Sequence, residues 1–233
     1  MHNRSIDTNS RLLKTVLQQK KTSHFRVKAL MYAKRIALVA LFAAPVWAAS
    51  PQVAQRAYEQ GLRAESAGNY SGARDAFKKA LTEAQEAGLG QEFISAATYN
   101  LARMTGYTCD FPLARELLLE ALKLEQALPA PSRANVTKRL SELARLSYDQ
   151  GAFSESISYY DLVVPQIEEL GVLRLDPNGF AIFLDDYAQA LARSGDERRA
   201  DVARRKAADI RFTNVGSPVR FIPTYYRDVC ARK

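Results

Sequence analysis

Residues 57–80 read AYEQGLRAESAGNYSGARDAFKKA, and this stretch decides the fold. Small side chains stand at Ala57, Gly61, Ala73 and Ala80, and aromatic ones at Tyr70 and Phe77. On a helix, residues three, four and seven apart share one face. The small residues therefore mark where two helices press together, and Tyr70 and Phe77 fill the space between them. Gly68-Asn69 interrupts the pattern with two residue types that tolerate a left-handed backbone. The stretch predicts one helix over about 54–67, a tight turn, and an antiparallel helix over about 71–87.

Three further segments follow the same plan. The second has Leu101-Ala102, a turn at Cys109-Asp110-Phe111, then Ala114, Leu118 and Ala121. The third has Leu143-Ala144, Gly151-Ala152-Phe153, Ser156, Tyr160 and Val163. The fourth has Tyr187-Ala188, Gly195-Asp196, Ala200 and Ala207, with Arg204 and Glu197 where an apolar and an aromatic residue belong. A more polar last unit suits the end of a stack. The small residue of each second helix recurs at Ala73, Ala114, Ser156 and Ala200, at intervals of 41, 42 and 44.

These residues resemble the tetratricopeptide repeat (TPR), in the lengthened form of kinesin-light-chain-like arrays. The resemblance implies an all-α fold, a right-handed superhelical α-solenoid of about four hairpins. The array spans 52–210, with repeats near 54–87, 95–128, 137–170 and 181–210. Breaks fall at Gly88 to Gly90, at Pro129 to Ser132, and from Gly171 to Gly179. Ser132 and Asp176 are expected to cap the helices that follow them. Beyond residue 210 the periodicity ends. Residues 211–233 read as an extended tail packed on the stack, with Phe212, Phe221, Tyr225 and Tyr226 as its anchors.

The formal net charge of +8 invites a nucleic-acid reading, but its location argues against one. Nine of the 33 basic residues and only one of the 25 acids lie in residues 1–48, so the remainder is neutral. Within 31–48, Lys34-Arg35 precedes the apolar run Ile36 to Ala44, and Val46-Trp47-Ala48 completes the pattern of a secretory signal peptide cut after Ala48. The run is too short for a membrane span, which needs about 20 residues. Residues 1–30 fit poorly before such a signal. Translation from Met31 explains them, and an organellar transit peptide is the rival reading. Export to the periplasm or beyond is the expectation, with no integral span left after processing.

The only histidines, His2 and His24, lie in that leader. The processed chain therefore has no imidazole for general base, nucleophile activation or metal binding. It carries no phosphate-binding glycine loop and no paired-cysteine metal motif. No catalytic residue, metal or cofactor is expected, and the reading is that of a non-enzyme. The adjacent carboxylates Glu168-Glu169 and Asp185-Asp186 point about 100° apart on a helix and do not converge. Cys109 and Cys230 are an even pair that an oxidising compartment would bridge; a buried Cys109 with a free Cys230 is the other reading.

What the TPR resemblance implies about function lies on the concave face. Carried over to this sequence, its positions are Tyr58 and Leu62, then Tyr99, Asn100, Arg103 and Tyr107, then Lys138, Arg145 and Tyr148, and last Asp185 and Gln189. Tyrosine and arginine dominate peptide-binding hot spots, and Asn100, Arg103, Lys138 and Arg145 together could receive a peptide carboxylate. The same tyrosines could equally pack between helices. A charge split adds a second surface: residues 193–233 carry eleven basic and five acidic side chains, against an acidic body. The expected function is an exported scaffold of a bacterial cell envelope that binds a peptide or protein partner. Alternatives are an accessory subunit that positions a cell-wall enzyme, or a structural module that self-associates weakly through its basic last helix. Nucleic acid is not an expected partner.

Overall fold

The computed structural model describes residues 50–231. The signal-peptide and leader readings fall outside the described residues. Ten helices follow Ser50: α1 (Pro51–Ser66), α2 (Tyr70–Glu86), α3 (Gln91–Tyr107), α4 (Phe111–Gln126), α5 (Arg133–Asp149), α6 (Phe153–Glu169), α7 (Val172–Leu175), α8 (Pro177–Arg193), α9 (Glu197–Thr213) and α10 (Tyr226–Cys230). There is no strand among the described residues.

Each hairpin turns on one residue with a left-handed backbone. These are Gly68 (φ 71°), Cys109 (φ 74°), Gly151 (φ 74°) and Gly195 (φ 92°). In three of the four turns the next residue caps the second helix. Asn69 accepts from the Gly72 amide (2.9 Å), Asp110 from Leu113 (3.3 Å) and Asp196 from Arg199 (3.1 Å). The anticipated caps Ser132 and Asp176 likewise accept from the amides of Asn135 and Gly179.

The hairpins α1–α2, α3–α4, α5–α6 and α8–α9 each close over the recurring small residue. Ala73, Ala114, Ser156 and Ala200 are fully buried, and the hydroxyl of Ser156 donates to the Ala144 carbonyl at 2.8 Å. One turn later Phe77, Leu118 and Tyr160 are also fully buried. In the last hairpin Arg204 stands at that place, half in solvent, and pairs with Glu197 and Asp201 of its own helix. Gly61 shows why the contact needs small residues: a Cβ there would lie 2.6 Å from the Phe77 ring.

The first helices of successive hairpins also meet, α3 with α5 and α5 with α8. They form one continuous wall, on which the site lies. Between the third and fourth hairpins the break from Gly171 contains the short helix α7, which the sequence pattern does not announce.

The chain after α9 folds back over this wall. Residues 214–225 have no helix and lead into α10, and Cys230 is bridged to Cys109 with Cα atoms 5.8 Å apart. Of the four expected anchors, Tyr226 is fully buried, Tyr225 is partly buried and Phe221 covers a guanidinium. Phe212 is not an anchor; it lies on α9 and is 83% exposed.

Part of the charge split is met inside the chain. From α9, Arg199 pairs with Asp161, Lys206 with Glu168 and Arg211 with Asp185. The two carboxylate doublets do diverge: Glu168 faces Lys206 and Glu169 faces Arg133, while Asp185 faces Arg211 and Asp186 faces Tyr225.

Candidate binding groove

The inner wall holds an open trough of about 910 Å³. Tyr58, Tyr99, Asn100, Arg103, Lys138 and Arg145 line it, brought together from α1, α3 and α5. Its apolar side comes from Leu62, Leu128, Ile167, Leu170, Val172 and Phe180, and Phe221 of the tail closes one edge. That volume falls in the range of ligand clefts, whose lining is commonly apolar with a few placed polar groups.

The floor is a set of satisfied charges. Arg139 meets Glu125 at 2.9 Å in the interior, both almost inaccessible. Arg139 also donates to the Ala121 and Asn135 carbonyls and to Ser95 (2.7 Å). Glu125 accepts in addition from Ser95, the Ser132 amide and Asn135. A buried pair is tolerated only when its remaining hydrogen-bonding groups are met in this way. Burial still lowers the Arg139 pKa from its ordinary value, though the Glu125 carboxylate pulls it back up.

Tyr99 is held between two guanidiniums, those of Arg139 (5.1 Å from the ring centroid) and Arg103 (5.7 Å). Burial raises its hydroxyl pKa, and the nearby Glu142 carboxylate adds to that. Asn100 donates to the Tyr58 hydroxyl at 2.7 Å, which fixes both across the junction of the first two repeats.

Arg103 reaches Glu65 at 2.8 Å and Glu142 at 3.8 Å, and Arg145 reaches Glu142 at 3.5 Å. Burial by itself would raise the Glu142 carboxyl, but Arg145 and Arg103, with the Tyr226 hydroxyl, hold it below its usual value. Lys138 differs from these three arginines. It is exposed, faces the trough, and has no ion-pair partner among the described residues.

The other residues expected on the concave face, Tyr107, Tyr148, Asp185 and Gln189, do not line the trough. Tyr107 is buried beneath the tail, its ring 4.6 Å from that of Tyr226 and its hydroxyl donating to the Thr224 carbonyl. Tyr148 is buried too; it donates to Gln189 (2.7 Å) and lies under the Arg227 guanidinium. Asp185 turns away to α9, and its neighbour Asp186 faces the tail instead.

The tail uses four carboxylates to which sequence reasoning gave no role in binding it. Asp176 accepts from the Arg220 and Phe221 amides, Asp186 from the Tyr225 hydroxyl, Asp149 from the Tyr226 amide and Glu142 from the Tyr226 hydroxyl. Burial pushes Asp186 up to about 6, although the hydrogen bond from Tyr225 opposes it. The available signal was the three aromatics beyond α9, Phe221, Tyr225 and Tyr226, together with the second cysteine.

Four stacked hairpins, a wall of first helices and a groove along it define the architecture. The fold is a TPR-like α-solenoid. BtubC (BKLC) from P. vanneervenii superposes with a TM-score of 0.65 at 18% identity, over 88% of this chain and 80% of that one. The nearly identical TPR-like repeats of a Podosopora anserina kinesin light chain superpose with a TM-score of 0.56 at 17% identity, over 93% of this chain and 100% of that one. No protein-family model matches the sequence, and no curated protein sequence matches it either. Within the TPR-like frame the groove lies on the face formed by the first helices. No helix among the described residues is long and apolar enough to cross a membrane, and no cluster of His, Cys, Asp or Glu among them could hold a metal.

Proposed function

We propose that this chain is an exported, non-enzymatic scaffold of the bacterial cell envelope that holds a polypeptide segment of a partner in its concave trough. The observation that carries the reading is the trough itself. It joins a rigid, charge-satisfied floor to an apolar side, with Lys138 facing in. Such a wall is ordered before the partner arrives, so little conformational entropy is lost on binding. The signal-like segment at 31–48 and the bridge between Cys109 and Cys230 both favour an oxidising compartment. The ion pairs that α9 makes within the chain weigh against self-association through that helix.

Site-specific photo-crosslinking tests this. A crosslinker at Lys138 or Leu62 of the bridged protein is expected to capture one partner from envelope extract, and one at exposed Leu113 on α4 is not. Lys138→Glu is expected to weaken capture at Leu62 at least tenfold. Equal capture from Leu62 and Leu113 would refute the reading.

A further inference from the structure

The tail is seated on the inner wall by groups that any extended polypeptide carries. Three backbone amides donate to carboxylates: Arg220 and Phe221 to Asp176 (3.2 and 2.8 Å), and Tyr226 to Asp149 (2.7 Å). The Thr224 carbonyl accepts from Tyr107 at 3.1 Å. Side chains then add selectivity. Tyr225 donates to Asp186 at 2.9 Å and Tyr226 donates to Glu142. The Arg227 guanidinium lies between the rings of Tyr148 and Tyr225, at 4.9 and 4.7 Å, and 3.6 Å from Asp149. Gly106 leaves room for the Tyr226 ring; a Cβ there would come within 2.5 Å of it. The wall is thus acidic and aromatic, and its occupant is aromatic and basic.

The tether has its own signature. In the other three hairpins the left-handed turn position is glycine, and in the second it is Cys109 at φ 74°. A side chain in that region carries a steric cost that glycine avoids. The cysteine is therefore explained by the bond it makes, not by the turn it serves. Ahead of the seated segment, residues 214–219 have no helix, Val215 is largely in solvent, and Asn178 donates to the Asn214 and Ser217 carbonyls.

We propose that the wall beneath residues 220–230 is a docking site for an extended aromatic and basic polypeptide segment. The chain's own tail fills it while Cys109 and Cys230 are bridged, and a partner segment of the same chemistry enters when they are reduced. The inference rests on the reading of the concave face as a polypeptide-binding surface. The opening step is thiol–disulfide exchange with an external dithiol. One thiolate attacks a sulfur of the bridge and the S–S bond breaks. The second thiol of the reductant, as thiolate, then attacks the reductant's own sulfur in the mixed disulfide, and the protein cysteine held there leaves as a thiolate that takes up a proton. Cys109 and Cys230 end as thiols, and the reductant ends as its own disulfide, having given two electrons and two protons.

The test uses the full chain bridged, the full chain reduced with dithiothreitol, and full-chain Cys109→Gly, which restores the turn residue of the other hairpins. The probe is a fluorescein-labelled peptide with the sequence of residues 218–231, serine replacing the cysteine. Anisotropy is expected to show at least tenfold tighter binding to the reduced chain and to Cys109→Gly than to the bridged chain. Trypsin cleavage after Arg220 and Arg227 is expected to quicken at least tenfold in the same two samples. A control peptide with the two tyrosines changed to alanine and the last arginine to glutamate is expected not to bind. Equal peptide affinity in all three states, equal cleavage, or equal binding of the control peptide would each overturn the proposal. So would loss of helical circular dichroism in both opened states, which would make the tail an indispensable part of the fold. Crosslinking at Lys138 is read on the bridged chain, so the wider reading stands or falls separately.

Discussion

Tyr226→Phe isolates the contact that joins the tail to the floor of the groove. The ring would keep its place, 4.6 Å from Tyr107 and 6.5 Å from Phe111, so packing is unchanged and only the hydroxyl is lost. That hydroxyl donates to Glu142, a carboxylate only 4% exposed, where water cannot take its place. Loss of a hydrogen bond to a buried charged group costs about 1.5–3 kcal/mol. The hydroxyl also helps Arg145 and Arg103 to hold the Glu142 pKa down, so its removal moves that pKa up. A depressed carboxyl contributes stability above its unfolded pKa, and this is lost as pH falls through the folded value. The variant is therefore expected to lose about 2 kcal/mol at pH 7 and to begin acid unfolding at a higher pH than wild type. Urea denaturation followed by circular dichroism at 222 nm measures both, because the single tryptophan, Trp47, lies in the leader. Equal m-values license the comparison. Tyr226→Ala, which also empties the ring site, is expected to cost more, about 3–5 kcal/mol. A loss below about 0.5 kcal/mol for Tyr226→Phe at pH 7, or the same loss at pH 3, would refute the account of Glu142.

Asp186 carries the opposite sign. Its pKa is raised to about 6 by burial, so its contribution is most favourable below about pH 4 and is lost as pH rises through 6. Asp186→Asn, which still accepts from Tyr225, is expected to raise stability by about 1–3 kcal/mol at pH 7 and to leave it unchanged at pH 4, as read from urea midpoints. Arg139→Met strands the Glu125 carboxylate and is expected to cost about 3–5 kcal/mol, whereas the double change with Glu125→Leu costs less than the single one in the same titration. In fully reduced protein, Cys109→Gly is expected to stabilise by about 1 kcal/mol relative to wild type and Cys109→Ala to have no such effect; equal melting temperatures for the two variants would remove the strain argument.

The hairpins were legible in the sequence because their determinants are local. A turn residue and a small residue at fixed spacing mark each one, three of the four add a cap, and Gly68, Asn69 and Ala73 do all of this within six positions. The trough was half legible. Tyr58, Tyr99, Asn100, Arg103, Lys138 and Arg145 come from carrying the concave positions of the TPR resemblance onto this sequence, and all line it. Asp185 and Asp186 show where that reasoning fails. Neighbours on a helix differ by about 100°, so an error of one residue in register exchanges the face toward Arg211 for the face toward Tyr225. Tyr107 and Tyr148 have the right register but are covered by the tail. That cover comes from contacts such as Tyr226 to Glu142, 84 residues apart, which no local periodicity encodes.

Those separations also set the tail apart from the array it closes. In a solenoid each repeat touches only its neighbours, and stability is close to a sum of adjacent terms. The side-chain bonds between hairpins obey this, with Tyr58–Asn100, Tyr148–Gln189 and Arg115–Glu155 spanning 42, 41 and 40 residues, about one repeat each. The tail spans 77 residues to Asp149 and 121 to Cys109. It ties the end of the fourth repeat to the second and third, so these three cannot open one at a time. In the chain-entropy description, a bridge closing a loop of that length restrains the unfolded chain by about 5 kcal/mol. Tail release needs much less closure, because only the chain from the end of α9 at Thr213 to Cys230 must swing, and a loop near that size is restrained by about 3 kcal/mol. Reduction therefore acts on two scales through one bond: it lowers the stability of the array by the larger amount and frees the groove by the smaller. The two are separable in experiment, because Cys109→Gly and bridged wild type differ in both, while the bridged Tyr226→Ala chain loosens the tail and keeps the long loop closed.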